Sequence, residues 1–140
     1  WAEAVIFEII LLALFFKVKN LFNSKIFIII AGIIATIRWV LMVHADNILY
    51  ISIIQILHAF TFGLTHIAAI HFISEVMPNR AQAKCQALYS AIAMGALLAI
   101  TIAISGDLYR ILYNKAFYTS AFLALVGTII AYYFIKIKKS

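Results

Sequence analysis

Residues 48–75, ILYISIIQILHAFTFGLTHIAAIHFISE, decide the fold. From Ile48 to Ile73 there is no Asp, Glu, Lys or Arg. That run is long enough to cross a bilayer as a helix, which takes ~20 residues. Its polar side chains are placed in a pattern. At ~100° per residue, Ser52, Gln55, His58, Thr61, Thr65 and His66 fall on one half of the helix surface, and His71 points roughly the other way. A helix facing only lipid has no use for such a stripe, whereas one lining a polar cavity or pairing with other helices does. Polar and ionisable groups are costly in hydrocarbon, so each marks a candidate functional position.

The rest of the chain has the same character. It is 66% hydrophobic and 11% charged over 140 residues, with one proline. That composition belongs to an integral membrane protein and excludes a soluble domain. The predicted fold is all-α, a polytopic membrane helix bundle with about five transmembrane helices. The apolar segments run over 1–16, 26–43, 48–73, 85–105 and 117–135. The net charge of +6 does not signal nucleic-acid binding, because the charges follow a membrane topology. Lys17, Lys19, Lys25, Arg80, Lys84, Lys136, Lys138 and Lys139 fall on one side, and only Arg110 and Lys115 on the other. The positive-inside rule then makes the first loop, the third loop and the C-terminus cytoplasmic, in a multi-pass protein of the cell's inner (plasma) membrane. Tyr132 and Tyr133 sit where an interfacial aromatic belt is expected. Trp1 stands inside an apolar run with no initiator Met, basic n-region or cleavage site, so the chain reads as part of a longer polypeptide.

Ionisable groups inside the segments are the next signal. Glu8 lies about 13 Å along the axis from Lys17, well inside the membrane, and Arg38 about 20 Å from Lys25, too deep to snorkel inward although it could reach outward past His44. Glu3 is nearer the outer face. Glu8, Arg38 and His58 come from three different helices. Pairing the carboxylate with the guanidinium would offset much of the cost of burying each. A histidine beside such a pair is suited to proton relay. The competing structural reading is that Glu8 and Arg38 fix helix register and His58 bonds a backbone or Gln partner. Gln55, Thr61, Thr65, His66, Gln86 and Tyr89 are candidate cavity-lining residues. His66 and His71 also read as packing residues. The small-residue stripe Ala87, Ala91, Gly95, Ala99 and Ala103 reads as a close helix-packing face.

Nothing points to an enzyme: there is no HExxH, Gly-rich phosphate loop or GxSxG. Cys85 is the one cysteine, so no internal disulfide and no multi-cysteine metal site is expected. No metal or cofactor is predicted. His58 and His71 on one segment raise a haem or redox subunit as an alternative, but axial ligands from a second helix would be needed and only His44 remains.

At IQILH (Ile54–His58) and THIAAIHFI (Thr65–Ile73) the chain resembles a known family. TIRW (Thr36–Trp39), LYSAIAMG (Leu88–Gly95) and SGDLY (Ser105–Tyr109) extend the likeness over nearly its whole length. It resembles the C-terminal half of a major facilitator superfamily transporter, of the 3-phenylpropionic acid type, with lactose–proton symporters more distant. The resemblance implies helices eight to twelve of twelve, with a small organic substrate held between two halves near the midplane. It implies that the N-terminal half, in the same or a separate polypeptide, is the partner, and that a proton gradient drives symport. Arg38 and His58 occupy the places of the lactose symporter's coupling arginine and histidine. Glu8 lies about one turn from that family's coupling glutamate. Thr61, Gln55 and Met94 stand where the symporter has a glutamate and two lysines, so its coupling chemistry does not transfer whole and a galactoside is not expected. An aromatic acid such as phenylpropionate is. The alternative in another class is a non-transporting remnant of a split gene.

Overall fold

The computed structural model describes residues 2–18 and 23–136, with side chains over 5–15 and 23–136. Among the described residues there is helix and no strand. Trp1, Lys19, Lys138 and Lys139, and the side chains of Glu3 and Lys17, lie outside the described residues.

Two asparagines open helices. Asn23 is extended and its side chain accepts from Ile26 N at 3.1 Å, starting α2 (Ser24–Val43), which follows α1 (Ala2–Val18). Asn47 does the same for Tyr50 N at 2.8 Å, starting α3 (Ile48–His58). Each cap satisfies an otherwise orphaned donor and is worth ~1 kcal/mol. A π-helical turn, Ala59–Gly63, carries α3 into α4 (Leu64–Val76) without a break, so Ile48–Val76 is one helix of 29 residues. Met77 and Pro78 are extended and stop it. Gln82 fastens that corner, its amide donating to Met77 O at 3.1 Å and Ser74 O at 3.2 Å. Beyond it come α5 (Asn79–Tyr89), a second π-helical stretch (Ser90–Leu97) and α6 (Leu98–Leu112). A 3-10 turn, Tyr113–Ala116, leads into α7 (Phe117–Phe134).

Three stretches are long and apolar enough to cross a membrane: Ser24–Val43, Ile48–Val76 and Asn79–Phe134, with a shorter apolar helix at Val5–Phe15. The last of the three holds 56 residues. Straight, it would reach about 84 Å, far beyond a ~30 Å hydrocarbon core. It is instead two crossings, divided where Tyr113 takes φ 51°. Side-chain contacts fix the directions. Lys25 meets Tyr132, Gly32 meets Thr128 and Trp39 meets Phe117, so α7 runs antiparallel to α2. Ser24 meets His71 and Glu75, so α4 is antiparallel to α2 as well. Glu8 meets Gly63 and Phe15 meets His71, so α1 runs parallel to α3 and α4. Tyr89 meets His66, so α5 returns along α4.

The fourth segment differs from its sequence reading. Helix extends from Asn79 to Leu112, taking in both flanks assigned to loops. Pro78 at the helix start is compatible with immediate entry. The far end stays helical through Gly106 to Leu112, with an exposed Asp107–Arg110 pair at 3.6 Å on its surface. The expected close packing of the Ala87–Ala103 stripe is not found among the described residues. A Cβ built on Gly95 meets only Ser90 O of its own helix, at 3.8 Å. Small residues do bring helices together elsewhere, with Ala31, Ala59 and Ala68 fully buried.

The closest approach is between α2 and α7. A Cβ at Gly32 would lie 2.1 Å from Thr128 Oγ1 and 3.1 Å from Thr128 Cβ. Rotating Thr128 would break its bond to Ala124 O at 2.7 Å and still leave its Cβ too near. Gly32→Ala is therefore expected to cost ~1–3 kcal/mol by overpacking. A melting temperature in detergent checks this: it should fall in Gly32→Ala and recover in part in Gly32→Ala/Thr128→Ala. An unchanged melting temperature in the single variant would contradict the contact.

Candidate functional site

Arg38 comes from the second half of α2, an apolar helix. It is 7% exposed, so its charge lies inside the helix packing. Its guanidinium carbon stands 4.1 Å from the centre of the Trp39 ring. Trp39 in turn stacks on Phe117 at 5.6 Å and 18°. A desolvated cation on an indole face gains ~2 kcal/mol, which offsets part of the burial cost. The Arg38 Nε is buried with no hydrogen-bond partner among the described residues.

The three sequence-picked residues converge on one level of the bundle. The Arg38 charge is close enough to act on the His58 imidazole at the end of α3. Glu8, on α1, lies against Gly63 in the π-helical turn just after His58; its Cγ is 3.1 Å from where a Gly63 Cβ would be. Glycine at 63 thus makes room for the carboxylate arm. The expected Glu8–Arg38 ion pair is not formed among the described residues, where the salt bridges are His71–Glu75 and Arg110–Asp107. Arg38 is held by Trp39 instead. Residues adjacent in a helix do not normally face each other, which is why TIRW did not suggest this contact.

Other picked positions divide into two groups. Thr61 and Thr65 turn inward on their own helix: Thr61 Oγ1 donates to His58 O at 3.1 Å and Thr65 Oγ1 to Thr61 O at 2.5 Å. Back-bonded threonines of this kind have spent their donors. Gln55 and Gln86 are half-buried on α3 and α5. His66 and Tyr89 belong to a series of rings. His58 and Phe62 are parallel within 8° at 5.6 Å, Phe62 and His66 within 7° at 6.4 Å, and His66 and Tyr89 within 29° at 5.7 Å. Phe62 was missed; its i, i+4 spacing to His58 and His66 was the available signal. His66 Nδ1 is, like Arg38 Nε, buried without a hydrogen-bond partner among the described residues.

A second polar cluster was also missed. Ser24, fully buried at the start of α2, donates to Glu75 Oε2 at 2.5 Å and lies 2.7 Å from His71 Nδ1. His71 Nδ1 is 3.4 Å from Glu75 Oε1. A serine has one proton to give. With that proton directed at Glu75, the His71–Ser24 bond is satisfied by the tautomer that carries its hydrogen on Nδ1. His71 also meets Phe15 edge-on at 6.2 Å. The cluster ties the ends of α1, α2 and α4 on the side assigned to the cytoplasm, and it works as a fastener. Nearby, an apolar cleft of about 250 Å³ lined by Phe7, Leu11, Phe15, Phe27, Phe60 and Leu64 has no ionisable lining residue. The charged level of Glu8, Arg38 and His58 is therefore the candidate site.

Comparison with known proteins bears on this arrangement. A family model described as the MFS_1 like family matches residues 1–122. Over 125 residues the chain is 32% identical to a curated protein named "Probable 3-phenylpropionic acid transporter" from Escherichia coli (strain K12). That alignment covers 89% of this chain and 33% of the relative, so the chain spans about a third of the relative's length. No solved structure matches.

Proposed function

We propose, from the premise that this chain is a multi-pass membrane protein belonging to the MFS_1 like family, that it forms helices eight to twelve of a transporter for a small organic acid. The observation that carries the reading is Arg38, a cation 7% exposed within an apolar helix, held on an indole face, with no ion-pair partner among the described residues. A fixed buried charge is costly unless it meets an opposite charge. An anionic substrate supplies one at the moment of binding.

The substrate is a small aromatic carboxylate, a class suggested by the name of the E. coli relative. Arg38 takes its carboxylate. Glu8, with His58 beside Arg38, carries the proton, and transport is proton-coupled symport by alternating access. A single five-helix body has nothing to rock against. The N-terminal half, in the same or a separate polypeptide, is the partner. The protein resides in the plasma (inner) membrane with the C-terminus cytoplasmic, consistent with Lys25, Arg80, Lys84 and Lys136 lying towards one face.

Uptake of labelled 3-phenylpropionate tests this, in vesicles that have an acidic exterior and carry the chain together with its N-terminal half. Protein-free vesicles correct for diffusion of the neutral acid. The expected result is saturable accumulation above the protein-free level. Uptake equal to that of protein-free vesicles would overturn the reading.

A further inference from the structure

We propose that the ring series His58, Phe62, His66 and Tyr89 is the subsite for the aromatic ring of the carboxylate substrate, with the carboxylate directed to Arg38. This rests on the substrate class proposed above and adds the group that recognises the ring.

The geometry starts from the π-helical turn. In an α-helix, positions four apart advance by about 400°, so a row of i, i+4 side chains drifts by ~40° at each step. The wider turn at Ala59–Gly63 closes with i→i+5 hydrogen bonds and takes out much of that drift. His58, Phe62 and His66 therefore keep one direction, and their planes agree within 8°. Tyr89 from α5 continues the series. Separations of 5.6–6.4 Å exceed the ~3.5–4.0 Å of direct face-to-face contact, so the rings are offset and each leaves part of its surface uncovered. Phe62 is 38% exposed although it sits mid-helix.

Two independent features give the series a polarity. Its first ring, His58, is the one the Arg38 charge acts on. Phe62 follows one turn on, about 6 Å along the axis. A molecule with a carboxylate at one end and a ring at the other fits that order, charge at Arg38 and ring at Phe62. Further along, His66 and Tyr89 continue the series. Aliphatic side chains at 62, 66 and 89 would satisfy an ordinary apolar contact equally well. A run of four parallel or near-parallel rings favours a ligand with its own π-face.

The test compares 3-phenylpropionate with 3-cyclohexylpropionate, which carries the same acid arm and a saturated ring. Affinities are read by competition for uptake, with the protein in its membrane-embedded form. Burial alone would favour the cyclohexyl acid or neither. The proposal expects the phenyl acid to win by ~3–10-fold, the ratio to collapse towards one in Phe62→Leu, and to survive in Phe62→Tyr. Tyr89→Leu reads the other end of the series and is expected to lower the ratio should Phe62→Leu fail to assemble. A phenyl preference that persists in Phe62→Leu or Tyr89→Leu overturns the subsite and leaves the transport reading standing. Failure of the unmodified protein to take up either acid overturns both.

Discussion

Arg38→Ala is expected to abolish substrate accumulation. The side chain is the buried cation of the site, and removing it leaves the carboxylate of a bound acid without its counter-charge in a low-dielectric environment. Truncating one partner of a buried charge pair costs ~2–5 kcal/mol or more, about 30-fold or more in affinity. Arg38→Lys should recover only part of this. A lysine brings the charge but not the planar guanidinium that stacks on Trp39 at 4.1 Å. Uptake rate and half-saturation concentration for both variants check the expectation. Unimpaired active uptake by Arg38→Ala would remove Arg38 from the mechanism.

Glu8→Gln is expected to separate exchange from proton-driven uptake. The amide has the shape of a protonated carboxyl and cannot release a proton. A carrier fixed in that state can bind substrate, alternate and exchange it, but it cannot couple the cycle to a pH gradient. Exchange should therefore stay near the unmodified rate while accumulation falls to the protein-free level. The position of Glu8 against Gly63 makes the swap sterically neutral, since glutamine occupies the same volume beside the π-helical turn. If Glu8→Gln keeps the unmodified dependence of uptake on external pH, the proton is carried elsewhere.

The fold was legible because membrane helices declare themselves by apolar length. Helices α2 and α3–α4 overlap segments two and three, with Asn23 and Asn47 as the caps that open them. The fourth was underestimated at both ends. Charged and polar residues such as Arg80, Lys84 and Asp107 look like loop in a hydropathy count, yet they are comfortable on a helix that runs past the membrane face. Counting helical rise from flanking lysines placed Glu8 and Arg38 inside their apolar segments, but it did not say which residues each would meet. What held Arg38 did not follow, because an i, i+1 stack is a rotamer choice that spacing does not encode. The Ser24–His71–Glu75 fastener joins residues 47 and 51 apart, and Ser24 sits in a stretch that reads as polar loop. Only its His71–Glu75 half, at i, i+4, was there to be read. The ring series depended on the π-helical turn, a departure from regular helix that residue types do not announce.

Transient counterflow is the sharpest test of transport by this protein, because it requires alternating access and no driving ion. Vesicles carrying the protein are loaded with unlabelled 3-phenylpropionate and diluted into trace labelled acid, with protein-free vesicles alongside. The account predicts a transient overshoot of internal label that Arg38→Ala loses and Glu8→Gln retains. A monotonic approach to equilibrium indistinguishable from protein-free vesicles would contradict it.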